Sequence, residues 1–163
     1  MNDFPLQIVA YCCQHCAYAA ADLAGGLRLQ YSPQIKIVQL PCTGRLDVLM
    51  VLRALEDGAD GVMVAGCLPG NCHYLDGNTN ARRRVDHIQA LLKQISLEPG
   101  RVRMFNMSAA MASQFVAAAT EMTEQISTLG PSPLHAVFIP SPPYYAAPIR
   151  ASSRTESTAT PAP

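Results

Sequence analysis

The chain has 163 residues, 49% hydrophobic and 15% charged, with 12 basic against 12 acidic side chains. That length suits one ordinary domain with enough apolar material for a core, and the balanced charge offers no long-range field to attract nucleic acid or an anionic membrane. No apolar run approaches the roughly 18–20 residues of a membrane span, and the start Met1-Asn2-Asp3 lacks the basic residues of a secretory signal. A cytoplasmic location is therefore expected, where six Cys read as metal ligands or redox thiols rather than as a disulfide framework.

Taken in order, Leu6 to Tyr11 is a short apolar run with β-formers, the first expected strand. Ala17 to Leu29, rich in Ala and Leu, is expected to be helical until Tyr31-Ser32-Pro33 breaks it. Ile35 to Leu40 alternates as a second strand. Leu46 to Glu56 carries Leu46, Leu49, Met50, Leu52 and Leu55 at helical spacing, with Gly58 suited to the position after its end. Gly61 to Ala65 has no polar position and reads as a buried third strand. Ala81 to Ile95 places Val85, Ile88, Leu91, Leu92 and Ile95 on one helical face. A fourth strand at Val102 to Asn106 and a closing helix at Ala109 to Leu129 follow. The alternation predicts an α/β fold: an open, doubly wound, mainly parallel sheet of about four strands, with flavodoxin-like order around strands one and three.

Composition changes at Gly130-Pro131, and eight of the 13 prolines lie from Pro131 onward. Residues 1–130 are expected to form the domain and 131–163 a Pro/Ser/Ala-rich tail, extended or disordered. Ala136 to Ile139 and Tyr144-Tyr145 suit either a strap on the domain's own surface or a docking segment for a partner.

The cysteines follow the expected strands: Cys12, Cys13 and Cys16 after the first, Cys42 after the second, Cys67 and Cys72 after the third. In a parallel sheet these loops share the carboxyl edge, where open α/β sheets bind ligands, so thiols distant in sequence should converge. Three chemistries suit them. Cys13-x2-Cys16 at the opening of a helix fits a dithiol redox pair. Zinc accepts thiolates, with His15 or His73 able to complete a set. An iron–sulfur cluster takes four thiolates at mixed spacings.

Three blocks of the chain carry a resemblance. Cys13-x2-Cys16-Ala17-Tyr18, Pro41-Cys42-Thr43-Gly44-Arg45-Leu46-Asp47, and Asp57 to Tyr74 with Cys67-x-Pro69-Gly70-x-Cys72-His73, continued by Gly77-Asn78 and Arg82-Arg83, resemble the delta subunit of methyl-viologen-reducing hydrogenase over about residues 6–130. The resemblance implies an electron-transfer subunit with one 2Fe-2S cluster and no substrate chemistry of its own. It implies as partners a hydrogenase or formate dehydrogenase on one side and a heterodisulfide-reductase-type flavoprotein on the other. Cys13, Cys16, Cys42, Cys67 and Cys72 match the family pattern, one more than a four-ligand cluster needs, and Cys12 is an extra. A zinc-stapled adaptor in such a complex, or a dithiol oxidoreductase using Cys13 and Cys16, is the alternative. Where the family often has Trp, this chain has His15, and it contains no Trp at all.

Elsewhere no paired carboxylates, nucleophile elbow or phosphate-cradling Gly loop appears. Arg82-Arg83-Arg84 reads as a solvated face or as a docking patch for an acidic partner.

Overall fold

The computed structural model describes residues 6–134. Four strands alternate with four helices: β1 (Ile8–Cys13), α1 (Ala17–Gly26), β2 (Ile35–Leu40), α2 (Val48–Glu56), β3 (Gly61–Gly66), α3 (Gly77–Gln94), β4 (Val102–Asn106) and α4 (Ala112–Leu129). Single 3-10 turns at Thr43–Arg45 and Pro99–Arg101 precede α2 and β4. All pairings are parallel, and the strand order is β2-β1-β3-β4. Each crossover therefore passes through a helix, and the sheet is covered on both faces, as the expected open α/β architecture requires.

The pleat sorts the core. Ile8, Ala10, Cys12, Met63 and Ala65 face α1 and α4, where they meet Ala17, Ala20, Phe115, Met122 and Ile126. Tyr11, Val62 and Val64 face the other way, against Leu46, Val51, Leu55, Val85, Ile88 and Leu92 of α2, α3 and the loop before α2. Each large apolar side chain fully buried here stabilises the fold by about 1.5–3 kcal/mol relative to exposure. Asp47 caps α2 by accepting from the Leu49 N–H at 2.8 Å, and Gly58 at φ 98° reverses the chain after it.

Several expected boundaries need correction. β1 runs on through Cys12 and Cys13, so these two residues end the strand instead of following it. The reason is that both sides of this central strand are paired, Cys12 with Gln39 and Ala65, and Cys13 with Leu40. α1 stops at Gly26, short of Leu29, while α2 and α4 begin at Val48 and Ala112, later than Leu46 and Ala109. α3 begins well before Ala81, with Gly77 and Asn78 buried in its first turn. That earlier start places Arg82 and Arg84 in the second turn, where both are occupied. Arg82 donates to the Met104 carbonyl at 3.2 Å and to Asn106 Oδ1 at 3.3 Å. Arg84 donates to the carbonyls of Gly44 and Leu46 at 2.6 and 2.8 Å. These two arginines serve the fold; Arg83 is exposed.

At the amino edge a charged cluster holds the end of the domain. Asp60, fully buried, accepts from the Gln7 N–H at 2.9 Å and from the Ser132 N–H at 2.7 Å. Arg101, 1% exposed, donates to Glu98 at 2.7 Å and to the carbonyls of Asp60 and Gly130 at 3.0 Å each. Residues 131–134 thus continue the packed chain, and the rest of the expected tail lies outside the described residues. Among the described residues no helix is long and apolar enough to cross a membrane.

Candidate metal centre

Three loops at the carboxyl edge bring five thiols together. The first leaves β1 and enters α1 within three residues, so Cys13 ends the strand and Cys16 is the residue before the helix. The second leaves β2 through Pro41 and puts Cys42 at the head of the 3-10 turn, where its sulfur accepts from the Gly44 N–H at 3.3 Å. The third leaves β3 at Gly66 and carries Cys67 and Cys72 toward α3. Its start is clamped: the Cys67 carbonyl accepts from Asn78 at 3.1 Å and from Asn106 at 2.6 Å.

The sulfurs of Cys13, Cys16 and Cys67 all lie within 4.8 Å of one another, with 3.9 Å between Cys13 and Cys67. Cys42 and Cys72 form a second group, their sulfurs 4.0 Å apart. Cys12 is absent from both groups. Its side chain enters the core between the sheet and α1, where burial, and then the neighbouring Cys13 charge, push its thiol up to about 12. The alternation of a strand separates two adjacent cysteines into a core residue and a site residue.

Two glycines make the approach possible. A Cβ on Gly77 would collide with Cys42 Sγ and stand 3.1 Å from Cys72 Sγ. A Cβ on Gly44 would stand 2.8 Å from the Gly77 Cα. The first turn of α3 therefore sits backbone to backbone on the Cys42 turn, with the two sulfurs against it. The sequence offered Gly77-Asn78 as part of a resemblance and no role for it; a Gly-Asn pair ahead of an apolar helical stripe is the signal that would have found it.

The electrostatics follow mainly from burial, backbone N–H groups and mutual thiol contacts. Cys13 is held low, at about 5, first by the Cys16 thiol and, against the cost of burial, by the His15 and Thr43 N–H groups and Cys67. Cys16 is pushed up as the donor of that contact. Burial raises Cys42 and Cys67. Burial also opposes ionisation of Cys72, yet the N–H of Tyr74 in the preceding loop, those of Asn78 and Gly77 at the head of α3, and the Cys42 thiol hold it below its ordinary value. Helix N-termini favour negative charge, and here α1 and α3 both begin at the thiols.

His15 and His73, the two histidines near the site, stack on each other with ring centroids 4.1 Å apart, and Tyr74 meets both edge-on. Their backbone N–H groups face Cys13 and Cys67, while their rings are exposed. A cavity of about 270 Å³ opens beside them, lined by His15, Cys16, Cys67, His73 and Met107 among others. Five thiols in two groups, bordered by inward N–H donors, suit a soft metal or a metal–sulfur group carrying net negative charge.

Comparison with known proteins bears on this arrangement. A family model described as methyl-viologen-reducing hydrogenase, delta subunit, matches residues 8–130. The vhu iron-sulfur subunit of the F420-non-reducing hydrogenase of Methanocaldococcus jannaschii is 48% identical over 129 residues, which span 79% of this chain and 96% of that protein. The corresponding iron-sulfur subunit of Archaeoglobus profundus is 44% identical over 130 residues, 80% of this chain and 95% of that one. The ferredoxin:CoB-CoM heterodisulfide reductase of Methanosarcina mazei has a much longer subunit that is 40% identical over 124 residues, 76% of this chain but 16% of that protein.

Proposed function

This chain belongs to the family of methyl-viologen-reducing hydrogenase delta subunits, and on that premise we propose that it is an electron-transfer subunit carrying one 2Fe-2S cluster. Four of Cys13, Cys16, Cys42, Cys67 and Cys72 would hold it, with Cys42 and Cys72 acting together and two of the other three completing the set. The single observation that carries this reading is the convergence of five thiols from three separate loops on one sheet edge. The donor set fits: it is all sulfur, and the N–H groups that face it favour bound negative charge. When bound, such a cluster supplies one-electron chemistry. The chain's own residues position it, bury all but Cys72 of its ligands, and leave the side of Cys72, His73 and Tyr74 open to solvent.

We further propose that the donor is a hydrogenase or formate dehydrogenase and the acceptor a heterodisulfide-reductase-type flavoprotein, in the cytoplasm. Support comes from the relatives: some are separate hydrogenase subunits, and in others the matching stretch is a small part of a long heterodisulfide reductase polypeptide. A dithiol reading would use Cys13 and Cys16 and leave three adjacent thiols idle. The test is anaerobic purification of the full chain with iron, acid-labile sulfide and zinc analysis. Brown protein with two iron and two sulfide per chain (about equal amounts of each) and an EPR signal on reduction is expected. Colourless zinc protein would mean a stapled adaptor, and metal-free protein with a reversible disulfide would mean a dithiol enzyme.

A further inference from the structure

Among the described residues one buried side-chain oxygen or nitrogen lacks a hydrogen-bond partner, Thr43 Oγ1. The residue is fully buried. A stranded hydroxyl destabilises a fold, whereas Val has the same shape and would fill the place without that penalty. Such an exception calls for a reason, and its position supplies one.

Thr43 follows Cys42 directly, and its own N–H faces Cys13. Its side chain lies against Gly66, the residue before Cys67: a Cβ there would stand 3.0 Å from Oγ1 and 3.3 Å from Cγ2. The residue is thus wedged among the backbone segments that carry three of the five thiols. The turn that holds it is fixed from both sides, by the Cys42 sulfur accepting from Gly44 and by Arg84 donating to the carbonyls of Gly44 and Leu46. No thiol among the described residues accepts from the hydroxyl. A thiolate or an inorganic sulfide carries negative charge and accepts strongly.

Resting on the iron–sulfur reading above, we propose that the Thr43 hydroxyl donates a hydrogen bond to a sulfur of the bound cluster and so tunes its potential without holding it. Hydrogen bonds to cluster sulfur stabilise the more negative, reduced state, and their removal lowers the potential.

The experiment compares the anaerobically purified full chain with Thr43→Val and Thr43→Ser. Iron and sulfide content, the EPR-monitored midpoint potential, and the resonance Raman Fe–S bands in H2O and D2O are measured. Thr43→Val is expected to keep wild-type iron and sulfide, to titrate at a more negative potential, and to lose the D2O-dependent band shift. Thr43→Ser is expected to retain both properties. In the cluster-free form Thr43→Val should melt no lower than wild type, because it removes an orphaned hydroxyl. Should Thr43→Val not accumulate, Thr43→Ala removes the same group and is read the same way. A hydroxyl-free variant with wild-type potential and Raman response overturns the proposal, as does one that loses its iron. A wild-type chain without iron and sulfide overturns the iron–sulfur reading itself.

Discussion

At the amino edge of the sheet, Asp60 and Arg101 are withdrawn from water together with the hydrogen-bond partners that satisfy them: two backbone N–H groups for the carboxylate, a carboxylate and two close carbonyls for the guanidinium. At the carboxyl edge, five thiols gather in two groups, N–H groups point at them, and one hydroxyl lacks a partner among the described residues. Both edges bury polar atoms, but among the described residues only the first finds a partner for each of them. A region whose polar groups find all their partners internally is built to hold the fold. On the iron–sulfur reading, the donors at the second edge are completed by the bound cluster. The contrast separates structural from functional polarity on one small sheet.

Point variants would break or sharpen this contrast. Cys42→Ser and Cys72→Ser should have the largest effect, reducing iron per chain to near zero while the cluster-free protein unfolds within about 1 kcal/mol of wild type. Full iron and an unchanged reduced-state EPR spectrum in both would remove these residues from the site. Arg101→Met should do the reverse, costing roughly 2–4 kcal/mol in urea denaturation because several buried acceptors lose their donor, with iron per folded chain unchanged. Gly77→Ala lies between: its methyl meets Cys42 and Cys72, so iron should fall several-fold and cluster-free stability by about 1–3 kcal/mol.

The smallest effect near neutral pH belongs to Cys12→Ala, about 1 kcal/mol of stability with iron content unchanged. Its value lies in the pH dependence. The Cys12 thiol is raised to about 12 from an unfolded value near 9, so its contribution is intact below pH 9 and declines as pH rises toward 12. Cluster-free wild type should therefore lose roughly 2–3 kcal/mol more than Cys12→Ala between pH 8 and pH 11. Parallel denaturation curves over that range would place Cys12 outside the core.

Much of this molecule was legible from its residues. Apolar period and turn residues located all four strands and all four helices, because each element packs one stripe against a common sheet and needs only local pattern to be seen. Strand direction alone brought all six cysteines to the carboxyl edge, and the family resemblance then set Cys12 apart from Cys13, Cys16, Cys42, Cys67 and Cys72. The illegible parts depend on partners far away in sequence. Arg101 meets Asp60 across 41 residues, and Ser132 meets the same aspartate across 72. The Gly44–Gly77 contact depends on two loops arriving at the same point, and so did the true start of α3. Likewise the arginine run read as surface charge, since nothing in Arg82-Arg83-Arg84 reveals that the acceptors for its outer members are carbonyls of other elements.

One of those contacts sets where the sheet ends. Along β4, the residues that bond to β3 alternate with residues whose carbonyls point outward. Those of Met104 and Val102 are taken by Arg82 and, at 2.7 Å, by Gln89. An open strand edge is a template on which another chain can lay its own backbone, and here α3 reaches across and occupies the acceptors first. Those two carbonyls are thereby withdrawn from any strand that approaches on that side.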